Sequence, residues 1–246
     1  MPSITINLHI EYNDKGFLVH AIDFPGAYAR GGQREEALSK IAGEVNQYLS
    51  WARAFDEGFA SLSGAGKYRL GTIQEQKSGL SIEDADSEAI FSMERSPLTE
   101  AEYVRLRELA LRSAQDFQAL YDSVPQKDGT TLKPRETFYG PIPRTAREMY
   151  GHTMGVNSYY FGEIKVPAKD GPDIASCRRE AFALLEKTPG FLENPVFLGR
   201  FEEEWSLRKV CRRFLWHDRI HAKAMYKMAS SLCGKERILN PFRFTL

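Results

Sequence analysis

Leu207, Val210, Phe214, His217, His221, Ala224 and Met228 follow one another at intervals of three or four residues. That spacing sets all seven on one face of a single helix, and a face so apolar has to be covered by other elements of the fold. Two of its members are imidazoles. They stand four residues apart, one turn above the other. An imidazole nitrogen buried in an apolar stripe costs free energy unless it finds a partner. The end of the chain therefore calls for a helical assembly with something between its helices that imidazoles can bind. The basic residues elsewhere on this helix, Arg208, Lys209, Arg212, Arg219, Lys223 and Lys227, read as a solvated back.

The segments before it can supply that assembly. Ser96-Pro97-Leu98-Thr99-Glu100 is a helix start, with a hydroxyl cap, an early proline and an acidic first turn. The pattern predicts helices over 97–123, 143–164, 172–187 and 206–231, with the prolines of this half between them or at their edges, where proline is tolerated. Four long helices with connections of varied length suggest a four-helix bundle. On the second, Met149, His152, Val156 and Tyr159 share a face, and Glu148 lies one turn before His152. If that face meets the last helix, three imidazoles converge. Three nitrogen ligands suit zinc, nickel, iron or cobalt. Spacing alone leaves a second reading open, in which the imidazoles are linked by hydrogen bonds to Tyr, Glu or water.

The first part of the chain reads differently. Residues 4–10 alternate apolar and polar as a half-buried strand does. Asn13-Asp14-Lys15-Gly16 is a turn with Gly16 suited to a positive φ, and Phe17 to Asp23 returns as a second strand. Pro25-Gly26 breaks it, Ala27 to Gly31 makes a short third strand, and Arg34 to about Phe55 is helical. His9 and His20 fall one in each hairpin strand and read as surface or packing residues. Residues 58–88 contain many Gly and Ser, turn acidic towards the end and are in part a linker, and Ala89-Ile90-Phe91-Ser92-Met93 is a candidate last strand. Gly31-Gly32 and Gly64-Ala65-Gly66 lack the strand-to-helix setting of a phosphate loop, so no nucleotide site is assigned. The expected class is α+β in two domains, a small sheet-plus-helix domain over 1–95 and a four-helix bundle over 96–246.

Bulk properties exclude several functions. Lys and Arg total 33 and Asp and Glu total 33, so there is no global charge to favour nucleic acid or an anionic membrane. No apolar run approaches the roughly 20 residues that span a bilayer. The N-terminus has no basic segment followed by an apolar one. Cys177, Cys211 and Cys233 form no CxxC pair and no disulfide framework, and Cys211 reads as a small buried hydrophobe. A cytoplasmic protein is the expectation.

Two likenesses follow from these residues. Ala-Arg-Glu-Met-Tyr-Gly-His152-Thr on one helix and Phe-Leu-Trp-His217-Asp-Arg-Ile-His221 on the last resemble the DinB-like (DinB/YfiT) metalloprotein superfamily, over roughly 97–231. The resemblance implies a four-helix bundle with His152, His217 and His221 as metal ligands. It also implies a thiol-dependent transferase or isomerase chemistry with bacillithiol, mycothiol or glutathione as co-substrate, although many members have no assigned reaction. Residues 16–38, with Asp23-Phe24-Pro25-Gly26 and then Glu35-Glu36-Ala37, resemble the HicB antitoxin fold. That likeness covers 4 to about 55 and brings no DNA-binding segment with it.

Three histidines leave coordination positions open, which is the catalytic rather than the structural pattern. The expected activity is a metal-dependent thiol transferase or a hydrolase acting on a small molecule. Glu148 is a candidate base or ligand-orienting carboxylate, and Tyr159 a candidate pocket residue. Asp218 points about 100° away from His217 and offers at most an indirect role. The rival reading is a regulatory or protein-binding module, in which the HicB-like domain recognises a partner or forms a homodimer and the metal only braces the bundle.

Overall fold

The computed structural model describes residues 4–62, 68–137 and 140–245. The chain divides after Phe91 into two units, the second running from Ser92 to Phe244. Together they make a mixed α+β protein, with a small sheet and several helices. The glycine cluster at Gly64 and Gly66 lies outside the described residues. No helix among the described residues is long and apolar enough to cross a membrane.

In the first unit, β1 (Thr5–Asn13) and β2 (Gly16–Ala21) form an antiparallel hairpin, with His9 opposite His20 and Ile10 opposite Val19. The turn is held by the Asn13 side chain, whose Oδ1 accepts from Lys15 N at 2.8 Å and Gly16 N at 2.9 Å. This corrects the expectation for Gly16, which is not among the positive-φ glycines; the asparagine makes the turn without it. Gly26 does take a positive φ, 90°, and lets the chain swing into β3 (Tyr28–Gly31). A Cβ at Gly31 would meet Ala37 N at 2.7 Å, so only glycine allows α1 (Arg34–Ala52) to start this close to the strand it follows. α1 packs on β2 and β3 and buries Ala37, Ile41, Val45 and Leu49, four residues of the apolar stripe.

The sheet order is β3-β2-β1-β4. Its fourth strand is Arg69–Lys77, parallel to β1, and comes from the stretch where no strand is expected and part reads as linker; α2 (Glu57–Ala60) precedes it. Ala89-Ile90-Phe91 form no strand, and Ser92 begins a 3₁₀ turn. Exposure and burial explain the reversal. β4 is an edge strand with most side chains exposed, so it lacks the apolar alternation that marks a half-buried strand. Residues 89–91 are apolar because they are buried as irregular chain.

The face of the hairpin that carries His9, Glu11 and His20 is buried too. The His9 and His20 rings lie 4.5 and 5.3 Å from Phe91. His20 Nε2 is 3.4 Å from Glu11 Oε2. Burial pushes the Glu11 carboxyl up, but His20 and the Ser87 hydroxyl outweigh it and leave it below the usual value. Both histidines therefore pack against Phe91, and the contact with Glu11 makes the burial of His20 tolerable.

The second unit is helical. α3 (Glu100–Ser123) opens with a capping box, Thr99 and Glu102 each satisfying the other's backbone N–H. α3 packs against α6 (Ile174–Leu185) and α7 (Leu207–Cys233). The span expected as one helix over 143–164 is two, α4 (Ala146–Met154) and α5 (Val156–Glu163), interrupted at Gly155. α4 packs on α3 and α7, and α5 on α6 and α7. Two short hairpins complete the unit, β5 (Glu136–Thr137) with β6 (Gly140–Pro141) and β7 (Phe197–Leu198) with β8 (Glu204–Trp205). Phe161, Phe182, Trp205, Val210 and Phe214 anchor the core.

α7 is buried on more than its apolar stripe. Arg208, Lys209, Arg212 and Arg219, expected on a solvated back, are buried, Lys223 is half-buried, and of the six only Lys227 is exposed. The reason is that the turn before α3 and the β7–β8 hairpin supply partners for three of these cations. Arg208 donates to Ser96 O at 3.1 Å and Pro97 O at 2.7 Å. Lys209 Nζ reaches Glu204 O at 2.7 Å and Glu203 Oε1 at 2.8 Å, and Arg212 Nη2 reaches Glu94 Oε2 at 3.0 Å. Burial pushes the Lys209 ammonium down to about 8, and Glu203 holds it from falling further.

Candidate metal centre

The site begins with how α4 is started and held. Thr145 caps it: Glu148 N donates to Thr145 Oγ1 at 3.1 Å, and Thr145 N donates back to Glu148 Oε2 at 3.1 Å. Arg144 N adds a third bond to Glu148 Oε2 at 2.7 Å. The Tyr150 ring stacks on Tyr121 of α3 at 4.1 Å, and its hydroxyl donates to Pro172 O at 2.6 Å. These contacts fix the helix whose last turn carries His152. On the facing side Ser206 caps α7, with Lys209 N donating to Ser206 Oγ at 3.3 Å. His217 and His221 then fall mid-helix, one turn apart.

The three imidazoles meet. Their ring centroids are 5.0 Å apart for His152 and His217, 4.8 Å for His152 and His221, and 4.5 Å for His217 and His221. One ligand nitrogen from each lies within 4.8 Å of the others. Nitrogens about 2.1 Å from a common ion in a tetrahedral arrangement stand about 3.4 Å apart, so modest ring rotation closes the set on a metal. His152 is exposed, whereas His217 and His221 are half-buried, so the set is open on the α4 side. His217 Nδ1 is fully buried and has no hydrogen-bond partner among the described residues. An orphaned imidazole nitrogen beside two other imidazoles fits a donor set that needs a cation.

Comparison with protein-family models, curated proteins and solved structures returns no match.

The desolvation of the cluster shifts all three imidazoles towards the neutral form, which is the form that binds a metal, although His152 keeps an exposed edge. It pushes His152 down, takes His221 to about 3 with a further push from His152, and holds His217 well below its ordinary value, helped by both neighbours. The sign of the pH effect follows. Unfolded imidazoles take up protons below their ordinary value of 6.5, while folded His221 resists down to about 3. Metal-free protein should therefore have a denaturation midpoint that is level above pH 6.5 and falls between 6.5 and about 3, as far as these groups control it. His221→Phe should flatten that fall in urea titrations run across the window. An unchanged slope would mean that His221 is not buried neutral in solution.

Of the other candidates, Glu148 has its carboxylate engaged as the helix cap. The N–H groups of Arg144 and Thr145 hold it below the usual carboxylate range. Glu148→Gln keeps the capping geometry, since glutamine also serves at this position. The variant should retain full metal content by elemental analysis, and loss of metal there would bring Glu148 into the site. Tyr159 is half-buried, with its ring 5.9 Å from Trp205 and 5.4 Å from Tyr160. Its neighbour Tyr160, which the helical spacing did not single out, sets its ring edge-on to His217 at 6.1 Å and is fully buried. The interruption at Gly155 explains the change. Counted from Val156 as a new start, the inward positions are 156 and 160. Asp218 is wholly buried and pairs with Arg178 of α6. Cys211 is buried in the core, where burial pushes its thiol up to about 12, so it is no nucleophile.

Proposed function

We propose that the second unit is a divalent-metal site of DinB-like type, with His152, His217 and His221 as ligands, and that the chain is a metal-dependent enzyme acting on a small molecule. The convergence of three neutral imidazoles from two facing helices within 4.8 Å carries this reading. Zinc, nickel or iron suits three nitrogens. A divalent ion held this way supplies Lewis acidity and keeps positions free for a water or a thiolate. The residues do the rest. α4 and α7 hold the imidazoles at fixed angles, burial keeps them unprotonated, and Tyr160 with Phe214 closes the inner side against water. The exposed flank at His152 is where a substrate has to enter.

A thiol-dependent transferase is the reading favoured over a hydrolase, because Glu148 is engaged as a helix cap and no other carboxylate joins the three imidazoles among the described residues. The first unit's order β3-β2-β1-β4 with α1 on one side supports a HicB-like accessory domain, and a cytoplasmic setting agrees with three free cysteines. The test is direct. Protein purified without an affinity tag and loaded with zinc, nickel or iron is incubated with an electrophile and glutathione, bacillithiol or mycothiol. Metal-dependent consumption of the thiol supports the transferase. Metal-dependent ester or amide cleavage without thiol moves the reading to a hydrolase. A chain that takes up no metal ends it.

A further inference from the structure

The residue after His217 is a buried carboxylate. Asp218 has no exposed surface, and neither does Arg178, its partner on α6. The two form a fork, Arg178 Nη1 to Asp218 Oδ2 at 2.6 Å and Nη2 to Oδ1 at 3.1 Å. The same Nη1 donates to Ala110 O of α3 at 3.0 Å. The guanidinium lies 4.0 Å above the Phe214 ring, one turn before the site. One side chain thus ties three helices together at the level of the imidazoles.

We infer that the Arg178–Asp218 fork pins the register of α7 at the level of the imidazoles, beyond the Arg208, Lys209 and Arg212 contacts near the start of the helix, and sets the rotation that turns His217 and His221 towards His152. This rests on the metal reading proposed above. Successive residues on a helix point about 100° apart, so the direction of Asp218 fixes that of His217. Apolar contacts such as those of Val210 and Phe214 tolerate a small slide or rotation, since repacked cores lose uniqueness before they lose stability. A two-bond fork between planar groups does not. Turning α7 would leave a guanidinium and a carboxylate apart in the core, where neither finds water. A buried ion pair is a poor device for stability alone, because apolar side chains of similar volume commonly do as well or better. What the fork supplies is a single register, and the three-histidine site is the feature that needs one.

The experiment uses the full chain and compares wild type with the double variant R178M/D218L. Two quantities are read, the thermal midpoint of the metal-free protein and the visible absorption during titration with Co(II). The double variant is expected to unfold near the wild-type temperature. Its Co(II) affinity should fall by about 10- to 100-fold, the range for groups that orient metal ligands without touching the ion, and its absorption bands should change shape. Wild-type affinity and spectrum in a folded double variant would overturn the pin. If the double variant does not fold, R178K decides, because it keeps the charge beside Asp218 but lacks the fork. A weakened and altered Co(II) spectrum supports the pin, and a wild-type one overturns it. Failure of the wild-type chain to bind Co(II) would instead strike the metal reading itself.

Discussion

His217→Ala is expected to take bound metal from about one ion per chain to near none while leaving the helices folded. Its Nδ1 makes no hydrogen bond that the variant could lose. The ring stands edge-on to Tyr160, so truncation removes the proposed ligand more than it removes support. The clearest readout is linkage. A ligand that binds only the folded chain stabilises it by about 4 kcal/mol at a thousandfold excess over its dissociation constant. For a unit of this size each kcal/mol moves the midpoint by about 2–4 °C. Wild-type protein should therefore gain about 10 °C on saturation with its metal, and His217→Ala should gain nothing. His221→Ala and His152→Ala should follow, with His152 the mildest in its effect on metal-free stability because it is exposed. A metal-dependent rise that persists in His217→Ala would remove that residue from the ligand set.

The second large effect is on stability. Arg178→Ala leaves the Asp218 carboxylate in the core without its counter-charge. Breaking one side of a buried ion pair costs about 3–5 kcal/mol. That corresponds to a fall of roughly 6–20 °C in the midpoint, or a matching shift in urea. The contrast is Arg147→Ala. Arg147 also forks onto an aspartate, Asp128, at 2.6 and 2.9 Å, but both side chains are mostly exposed. Solvent screens that pair, and its loss should leave the midpoint unmoved. Equal effects of the two substitutions would show that burial is not what makes the Asp218 pair matter.

Much of this was legible in the sequence, and the residues show why. The stripe from Leu207 to Met228 marks a helix because its period is local. The α1 stripe and the first hairpin are local too. The meeting of His152 with His217 and His221 is not local, yet each lay on an inward face, and packed helices offer few places for inward faces to go. Three features were hidden. The nine residues of β4 show no alternation, because an exposed edge strand has no buried face to keep apolar. The break at Gly155 carries no proline, and it moved the inward aromatic from Tyr159 to Tyr160. The burial of Arg208, Lys209 and Arg212 depends on Glu94, Ser96, Pro97 and Glu203, far away in sequence or beyond the helix start, and basic residues on a helix ordinarily mean solvent. Arg178 was invisible for the same reason, since its partner is 40 residues away.

The parallel pairing of β1 with β4 has a consequence for synthesis. Thr5 pairs with Arg69, a separation of 69 − 5 = 64 residues. At about 5–20 residues per second, a ribosome needs about 3–13 s to make that interval. Within that time the β1–β2 hairpin is completed at Ala21, and from then on the other edge of β1 waits for the strand it will pair with. A chaperone that shields open strand edges would find its substrate in this interval, and slowing translation across 60–70 would lengthen the exposure without altering a single residue of the finished protein.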